Sequence, residues 1–135
     1  MELSFRELMF YAQTRPGMYL GVTTTEQLQS YLIGYGECLR NAVTVNDETA
    51  KAFFSSDFRD FVIRRHGGED MSTGGVGILV HKVGMTIHAI LEEIACFFAS
   101  TFPDPGGKQW RPKEWDEAME NTLKLNRTAK EGETQ

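Results

Sequence analysis

The sequence predicts an all-α fold, a single-domain bundle of five or six helices, and three observations lead to that prediction. Residues 28–43 and 85–101 repeat apolar side chains at three- and four-residue steps, the period of an amphipathic helix. Shorter segments carry helix-capping residues at their starts. Residues 75–82 have the composition of a short strand or a weak helix, and we favour a helix or irregular structure because a lone strand has no evident partner.

The first helix is predicted over residues 5–14. Ser4 followed by Glu7 forms a capping box, the sequence signature of a helix start. Pro16 is expected to end the helix, since a residue that precedes proline avoids the helical conformation.

A packed turn is predicted at residues 15–22. Pro16 fixes φ and Gly17 tolerates a positive φ, which together favour a type II turn. The apolar residues that follow are expected to return to the core: Met18, Tyr19 and Leu20.

The second helix has the most regular pattern in the chain. Its internal Gly34 and Gly36 each cost about 1 kcal/mol relative to alanine, which favours close approach of another element over contact with a ligand. Leu32 and Leu39 are expected to be buried. The whole apolar stripe is Leu28, Tyr31, Leu32, Tyr35, Leu39, Ala42 and Val43.

Two shorter helices and a glycine-rich loop are expected next. Residues 46–48 can cap a helix that ends at Phe54, and Ser55 or Ser56 can cap a helix over 58–65. Residues 67–77, with five glycines, are predicted to form a loop. The inward positions are Phe58, Phe61 and Val62, and those of the helix over 85–101 are Ile87, Ile90, Leu91, Ile94, Phe97 and Phe98.

The predicted domain organisation has two parts. Residues 1–101 form the helical core domain. Residues 102–135 comprise a Pro/Gly linker, a helix over about 114–125 and a polar, disordered tail of about eight residues.

Composition and charge exclude several classes of protein. A net charge of −5 argues against nucleic-acid binding, because such domains are usually basic. The N-terminus has no secretory pattern and no stretch is apolar enough to span a membrane, so we expect a cytoplasmic protein. Cys38 and Cys96 are expected to be buried. His88 and Glu92 are interpreted as a helix-surface pair, and neither a metal nor a cofactor is expected.

One local resemblance concerns a nucleotide-binding enzyme. Arg-Pro-Gly-Met-Tyr-Leu-Gly at residues 15–21 and the Glu-x-x-x-Asn-Ala pattern at 37–42 resemble segments of the ATPase domain of the DNA gyrase B subunit. That resemblance implies a general base at Glu37 and a magnesium ligand at Asn41. Residues 70–74 depart from the family's adenine-binding box and the chain is too short for its sheet, so we interpret the resemblance as chance.

A second resemblance covers residues 4–101. The Arg-Pro-Gly-Met-Tyr-Leu-Gly turn, the Phe-x-x-Phe-Val helix ending in Arg-Arg-His-Gly, and the paired phenylalanines at 97–98 are similar to a family of small uncharacterised bacterial helical proteins. Proteins of this size and character often serve as immunity partners of bacterial toxins. The resemblance therefore implies an immunity role.

No residues suggest a catalytic constellation, so we expect a non-enzymatic protein. The leading hypothesis is a cytoplasmic protein-binding module, an immunity protein that occludes a toxin's active site and is steered to a basic partner by acidic residues. Two alternatives stay open: a nucleotide-binding protein that uses Glu37, Asn41 and residues 73–77, and an oligomeric scaffold that docks through Trp110 and Trp115. The predicted partner-binding residues are Asp57, Asp60, Glu69 and Asp70.

Overall fold

The computed structural model describes residues 3–41 and 46–133, with side chains described as far as 128. These residues form helices and no strand, which confirms the all-α prediction. The α-helices are α1 (Phe5–Ala12), α2 (Pro16–Leu20), α3 (Thr25–Asn41), α4 (Glu48–Phe54), α5 (Ser56–His66), α6 (Gly75–Ile78), α7 (Ile87–Thr101) and α8 (Glu117–Glu133). A π-helical turn over Leu79–Val83 continues α6.

These eight α-helical segments exceed the five or six predicted. The two additional helices are short. The segment predicted as a turn forms α2, and α6 lies in residues 75–82, where a helix or irregular structure was favoured over a strand. The strand alternative for residues 75–82 is wrong, because this segment forms α6 and the π-helical turn.

The start of α1 confirms the predicted capping box. The Glu7 amide donates to Ser4 Oγ at 3.1 Å, and the Ser4 amide donates to Glu7 Oε1 at 3.0 Å. The helix ends at Ala12, two residues before the predicted boundary.

The predicted type II turn is wrong. Pro16 occupies the first position of α2, where its missing N–H is not needed, and Gly17 has no positive φ. Gly21, with φ of 69°, ends this helix in the left-handed conformation. The helix turns Met18 outward, where it is 68% exposed, while Leu20 is buried. Burial was therefore predicted correctly for Leu20 and incorrectly for Met18.

The caps of α4 and α5 match the prediction. Asp47 Oδ1 accepts hydrogen bonds from the amides of Thr49 and Ala50, and Ser55 Oγ accepts one from the Asp57 amide. Gly67, with φ of 81°, follows the last residue of α5.

The core lies around α7 and is rich in phenylalanine. Phe53 stands 4.6 Å from Phe58 between ring centroids, and Phe58 stands 5.2 Å from Phe97. On α3 only Leu28 and Leu32 are buried. Leu39, predicted to be buried, is only partly buried, because one side of this helix is left uncovered. The buried apolar residues of α7 are Ala89, Ile90, Leu91, Ile94, Phe97 and Phe98.

Residues 110–126 pack against α1. The rings of Trp110 and Trp115 lie 5.4 and 5.0 Å from Phe10, in edge-to-face geometry. Leu123 of α8 is buried, and Asn126 Nδ2 donates to the carbonyl oxygens of Gln13 and Thr14. The helix α8 begins and ends later than predicted. It continues to Glu133 because residues 118–133 contain many strong helix formers.

The cysteine prediction is wrong. Cys38 and Cys96 are both exposed, because each lies on the flank of its helix that faces away from the core. Ala42 and Val43, predicted as the end of the second helix's apolar stripe, lie outside the described residues. Within residues 3–41 and 46–133, no helix has the length and apolar character needed to cross a bilayer.

Candidate ligand-binding groove

An open groove of about 700 Å³ separates α3 from the α4–α5–α6 side of the molecule. We refer to it as the α3 groove. Its lining combines apolar and aromatic side chains with a few polar and charged ones, the usual character of a ligand site. The lining residues used below are Gln29, Leu32, Ile33, Gly36, Glu37, Arg40, Lys51, Phe54, Phe58, Arg59 and Val76.

One face of α3 forms the first wall. Gln29, Ile33 and Arg40 recur at four- and seven-residue steps, so they follow one side of the helix. At 1.5 Å per residue, the wall from residue 29 to 40 is roughly 16 Å long. Ile33 is 60% exposed, an uncovered aliphatic side chain beside the groove.

Gly36 brings α3 against the floor of the groove. A Cβ atom at this position would stand 2.9 Å from Phe54 Cδ1, which is too close for an ordinary contact. The prediction that an internal glycine permits close approach of another element is therefore correct at Gly36. Gly34 has open space beside it and serves no such packing.

The opposite wall is fixed by close contacts between α5, α6 and the loop that joins them. Arg59 donates from Nε to the Thr73 carbonyl at 2.9 Å and from Nη2 to the Met71 carbonyl at 2.8 Å. A Cβ at Gly75 would lie 2.6 Å from Phe58 Cδ2, so α6 could not pack this closely with a larger residue. Gly75 is thus needed for the packing of α6 on α5.

The lining of the α3 groove is locally cationic. It contains Arg40, Lys51 and Arg59 against one carboxylate, Glu37, in a chain whose net charge is −5. Arg40 Nη1 contacts Glu37 Oε1 at 3.2 Å, and the one hydrogen bond of Lys51 Nζ to a described residue is to Asn46 Oδ1 at 3.5 Å. Of the three cations, Lys51 therefore has the weakest contact within the protein.

The nucleotide-binding alternative would use Glu37, Asn41 and residues 73–77, and the structure brings only some of these together. Glu37 and residues 73–77 line the same groove, whereas Asn41 does not line it. The Asn41 side-chain amide donates to the Glu37 backbone carbonyl at 2.9 Å, within its own helix. The carboxylate and the amide are thus not directed at one common point.

The four predicted partner-binding carboxylates do not line the α3 groove and are all exposed. Asp57 and Asp60 are one turn apart on α5, and Glu69 and Asp70 lie in the loop that follows it. None of the four forms an ion pair with another residue of the described parts of the chain. We refer to these four residues as the acidic flank.

A separate polar cluster joins α5 to α7. Glu93, only 6% exposed, accepts hydrogen bonds from Arg65 and lies 3.0 Å from His66 Nε2. The bond to Glu93 raises the pKa of Arg65 above its ordinary value. Because Arg65 and His66 both come from the last turn of α5, the cluster fixes the end of this helix. No cluster of three or more metal-ligating side chains occurs among the described residues.

The sequence did not predict the α3 groove. Its walls come from residues 29–40, 51–59 and 73–77, which only the tertiary fold brings together. The local signal was Ile33, an aliphatic residue outside the predicted apolar stripe, close to two helix-interior glycines.

No family model matches the chain, and the searches of curated proteins and of solved structures likewise find no match. Functional inference therefore depends on the geometry described above. The resemblance to small bacterial helical proteins stays a prediction.

Proposed function

We propose that this protein is a non-enzymatic protein-binding module that acts as an immunity protein and neutralises a bacterial toxin by covering its active site. The observation that most supports the proposal is the acidic flank, which presents four exposed carboxylates without an ion-pair partner among the described residues. Such carboxylates attract a basic partner surface and accelerate association.

The contacts that hold the loop of the acidic flank against α5 favour this role. Arg59 ties the loop to α5 through two backbone carbonyls, and Gly75 allows α6 to pack directly on Phe58. A surface held in place before binding loses less conformational freedom when the partner docks.

The first step of the test is to identify the partner. A toxin gene would directly precede its immunity gene, so we expect the partner to be the product of the gene directly upstream. We expect the purified pair to form a complex and the toxin's activity to be blocked. Association is then measured by stopped-flow at low and high salt. The Asp57→Lys/Asp60→Lys variant should associate several-fold more slowly, most clearly at low salt, because exposed charges are screened over about 8–10 Å at physiological ionic strength.

The matched control reverses two exposed carboxylates elsewhere, Glu114→Lys/Glu117→Lys, and changes the net charge equally. Equal slowing in both double variants would mean that overall charge, and not the acidic flank, controls association. Wild-type rates in the Asp57/Asp60 variant at every salt concentration would rule out the flank as the steering surface.

Nucleotide binding is the second candidate, because Glu37 and residues 73–77 line one groove. Its test is thermal unfolding with and without ATP and Mg²⁺, since a ligand that binds the native state raises the melting temperature. A saturable rise that disappears in Glu37→Gln would favour this candidate over the protein-binding module. An unchanged melting temperature is the result that our proposal predicts.

A further inference from the structure

We propose that the α3 groove binds a small amphiphilic anion, a molecule with an apolar body and a single carboxylate. The proposal concerns a different surface from the acidic flank and does not depend on the immunity role. It rests on the size of the groove, its apolar floor and the excess of cations around it.

The size and floor of the α3 groove suit a small molecule. Its volume of about 700 Å³ lies within the range of roughly 300–1,000 Å³ that is typical of small-molecule sites. Phe54 and Val76 are partly buried and Ile33 is largely exposed, so an apolar body could cover surface that the protein itself leaves in water.

The charge of the lining selects the ligand's polar group. Three cations face one carboxylate there, an excess of two positive charges on a chain that is acidic overall. An anion is therefore favoured over a neutral or cationic head group.

The three cations differ in their freedom to bind the ligand. Arg59 uses Nε and Nη2 on the loop carbonyls, and Arg40 contacts Glu37. Lys51 is exposed and can exchange its long contact with Asn46 for a charge-assisted hydrogen bond to a carboxylate. We therefore assign the carboxylate to Lys51, with Arg40 nearby and the apolar body against Ile33, Phe54 and Val76.

A polyphosphate fits this lining less well. Its several negative charges would exceed the local excess of two positive charges and would meet Glu37 as well. Its polar chain would also leave the apolar floor uncovered.

The experiment is isothermal titration calorimetry of the full chain with decanoate below its micelle concentration. Decan-1-ol and decylammonium carry the same apolar body with a neutral and a cationic head group. We expect saturable binding of one decanoate per chain, much weaker binding of the alcohol and none of the ammonium. Equal binding of all three, no saturable decanoate binding, or tighter binding of ATP with Mg²⁺ would each overturn the proposal.

Two pairs of variants locate the site. Lys51→Gln should weaken decanoate binding about tenfold, whereas Lys82→Gln, which removes an exposed lysine outside the lining, should not change it. Ile33→Glu should abolish binding, whereas Leu125→Glu, at a residue that is 70% exposed on α8, should not. Circular dichroism confirms that each variant is folded. Equal effects within either pair would show that decanoate binds elsewhere.

Discussion

The helices α7 and α3 are similar in length and differ greatly in how much of each is covered. Seven of the fifteen residues of α7 are buried, against two of the seventeen of α3. Other helices surround α7, whereas α3 is covered along one side and borders an open groove along the other. The comparison shows that an apolar helical stripe predicts an amphipathic helix but not how much of that helix the fold covers.

The largest expected difference between the two helices concerns truncation of an isoleucine. Ile94→Ala in α7 should lower the free energy of unfolding by about 2–5 kcal/mol, because its side chain is fully buried and a cavity would remain. Ile33→Ala in α3 should change it by less than about 0.5 kcal/mol, since this side chain is mostly in water. Urea denaturation measures both. Comparable losses would contradict the contrast between the helices.

A second contrast concerns leucines within α3 itself. Leu32→Ala should cost about 2–4 kcal/mol, whereas Leu39→Ala should cost about 1 kcal/mol because Leu39 is only partly buried. Equal losses in urea denaturation would mean that the end of α3 is as well covered as its middle.

The loss of stability on removing a helix cap should also differ between α4, which packs in the core, and α3. Asp47 caps α4 and accepts a hydrogen bond from the Phe5 amide at 2.7 Å, so it links two helices that pack in the core. Asp47→Ala should cost about 1–2 kcal/mol at pH 7. Thr24→Ala removes the exposed hydroxyl that accepts from the Gln27 amide ahead of α3, and should cost less. Thermal unfolding of both variants tests this order, and the reverse order would contradict it.

The contribution of Asp47 should depend on pH. Burial alone would raise the pKa of this carboxyl, but hydrogen bonds from the Thr49 hydroxyl and from the amides of Phe5, Ala50 and Thr49 lower it below its ordinary value. A carboxyl whose pKa is lower in the folded state stabilises the fold above its unfolded pKa, about 3.9. That stability is lost as the pH falls through the lower, folded-state pKa. The difference in free energy of unfolding between wild type and Asp47→Ala should therefore become smaller as the pH falls. A constant difference from pH 7 to pH 2 would contradict a lowered pKa of Asp47 in the folded state.

The smallest expected effect on stability is at the acidic flank. Asp60→Lys should change the free energy of unfolding by less than about 0.5 kcal/mol, since its carboxylate is exposed and without an ion-pair partner among the described residues. Asp57→Lys should lower it by about 0.5–1 kcal/mol, because Asp57 lies in the first turn of α5, where the helix dipole favours a negative charge. Urea denaturation provides the measurement. A larger loss would mean that these residues serve the fold.

Features that depend on neighbouring residues could be predicted from the sequence. The caps at Ser4, Asp47 and Ser55 were found because a cap needs only an oxygen two or three residues ahead of an amide. At Pro16 the same local chemistry suits either a turn or the first position of a helix, and the sequence does not distinguish them.

The α3 groove could not be predicted, because it depends on contacts between distant segments. Lys51 and Val76 line it together with residues of α3, and no periodicity in the sequence predicts that these segments lie close together. The exposed Cys38 and Cys96 show the same limit. Cys96 lies among apolar residues in the sequence and Cys38 lies next to Leu39, yet their helices turn both away from the core.

Hydrogen–deuterium exchange of the backbone amides, with and without decanoate, tests most directly the claim that α3 is an uncovered wall which a ligand completes. Amides of α7 should exchange only through global unfolding, whereas those at residues 30–40 of α3 should exchange faster through local opening. Decanoate should slow exchange in α3 more than in α7. Equal protection of both helices in the free protein, unchanged by decanoate, would contradict the claim.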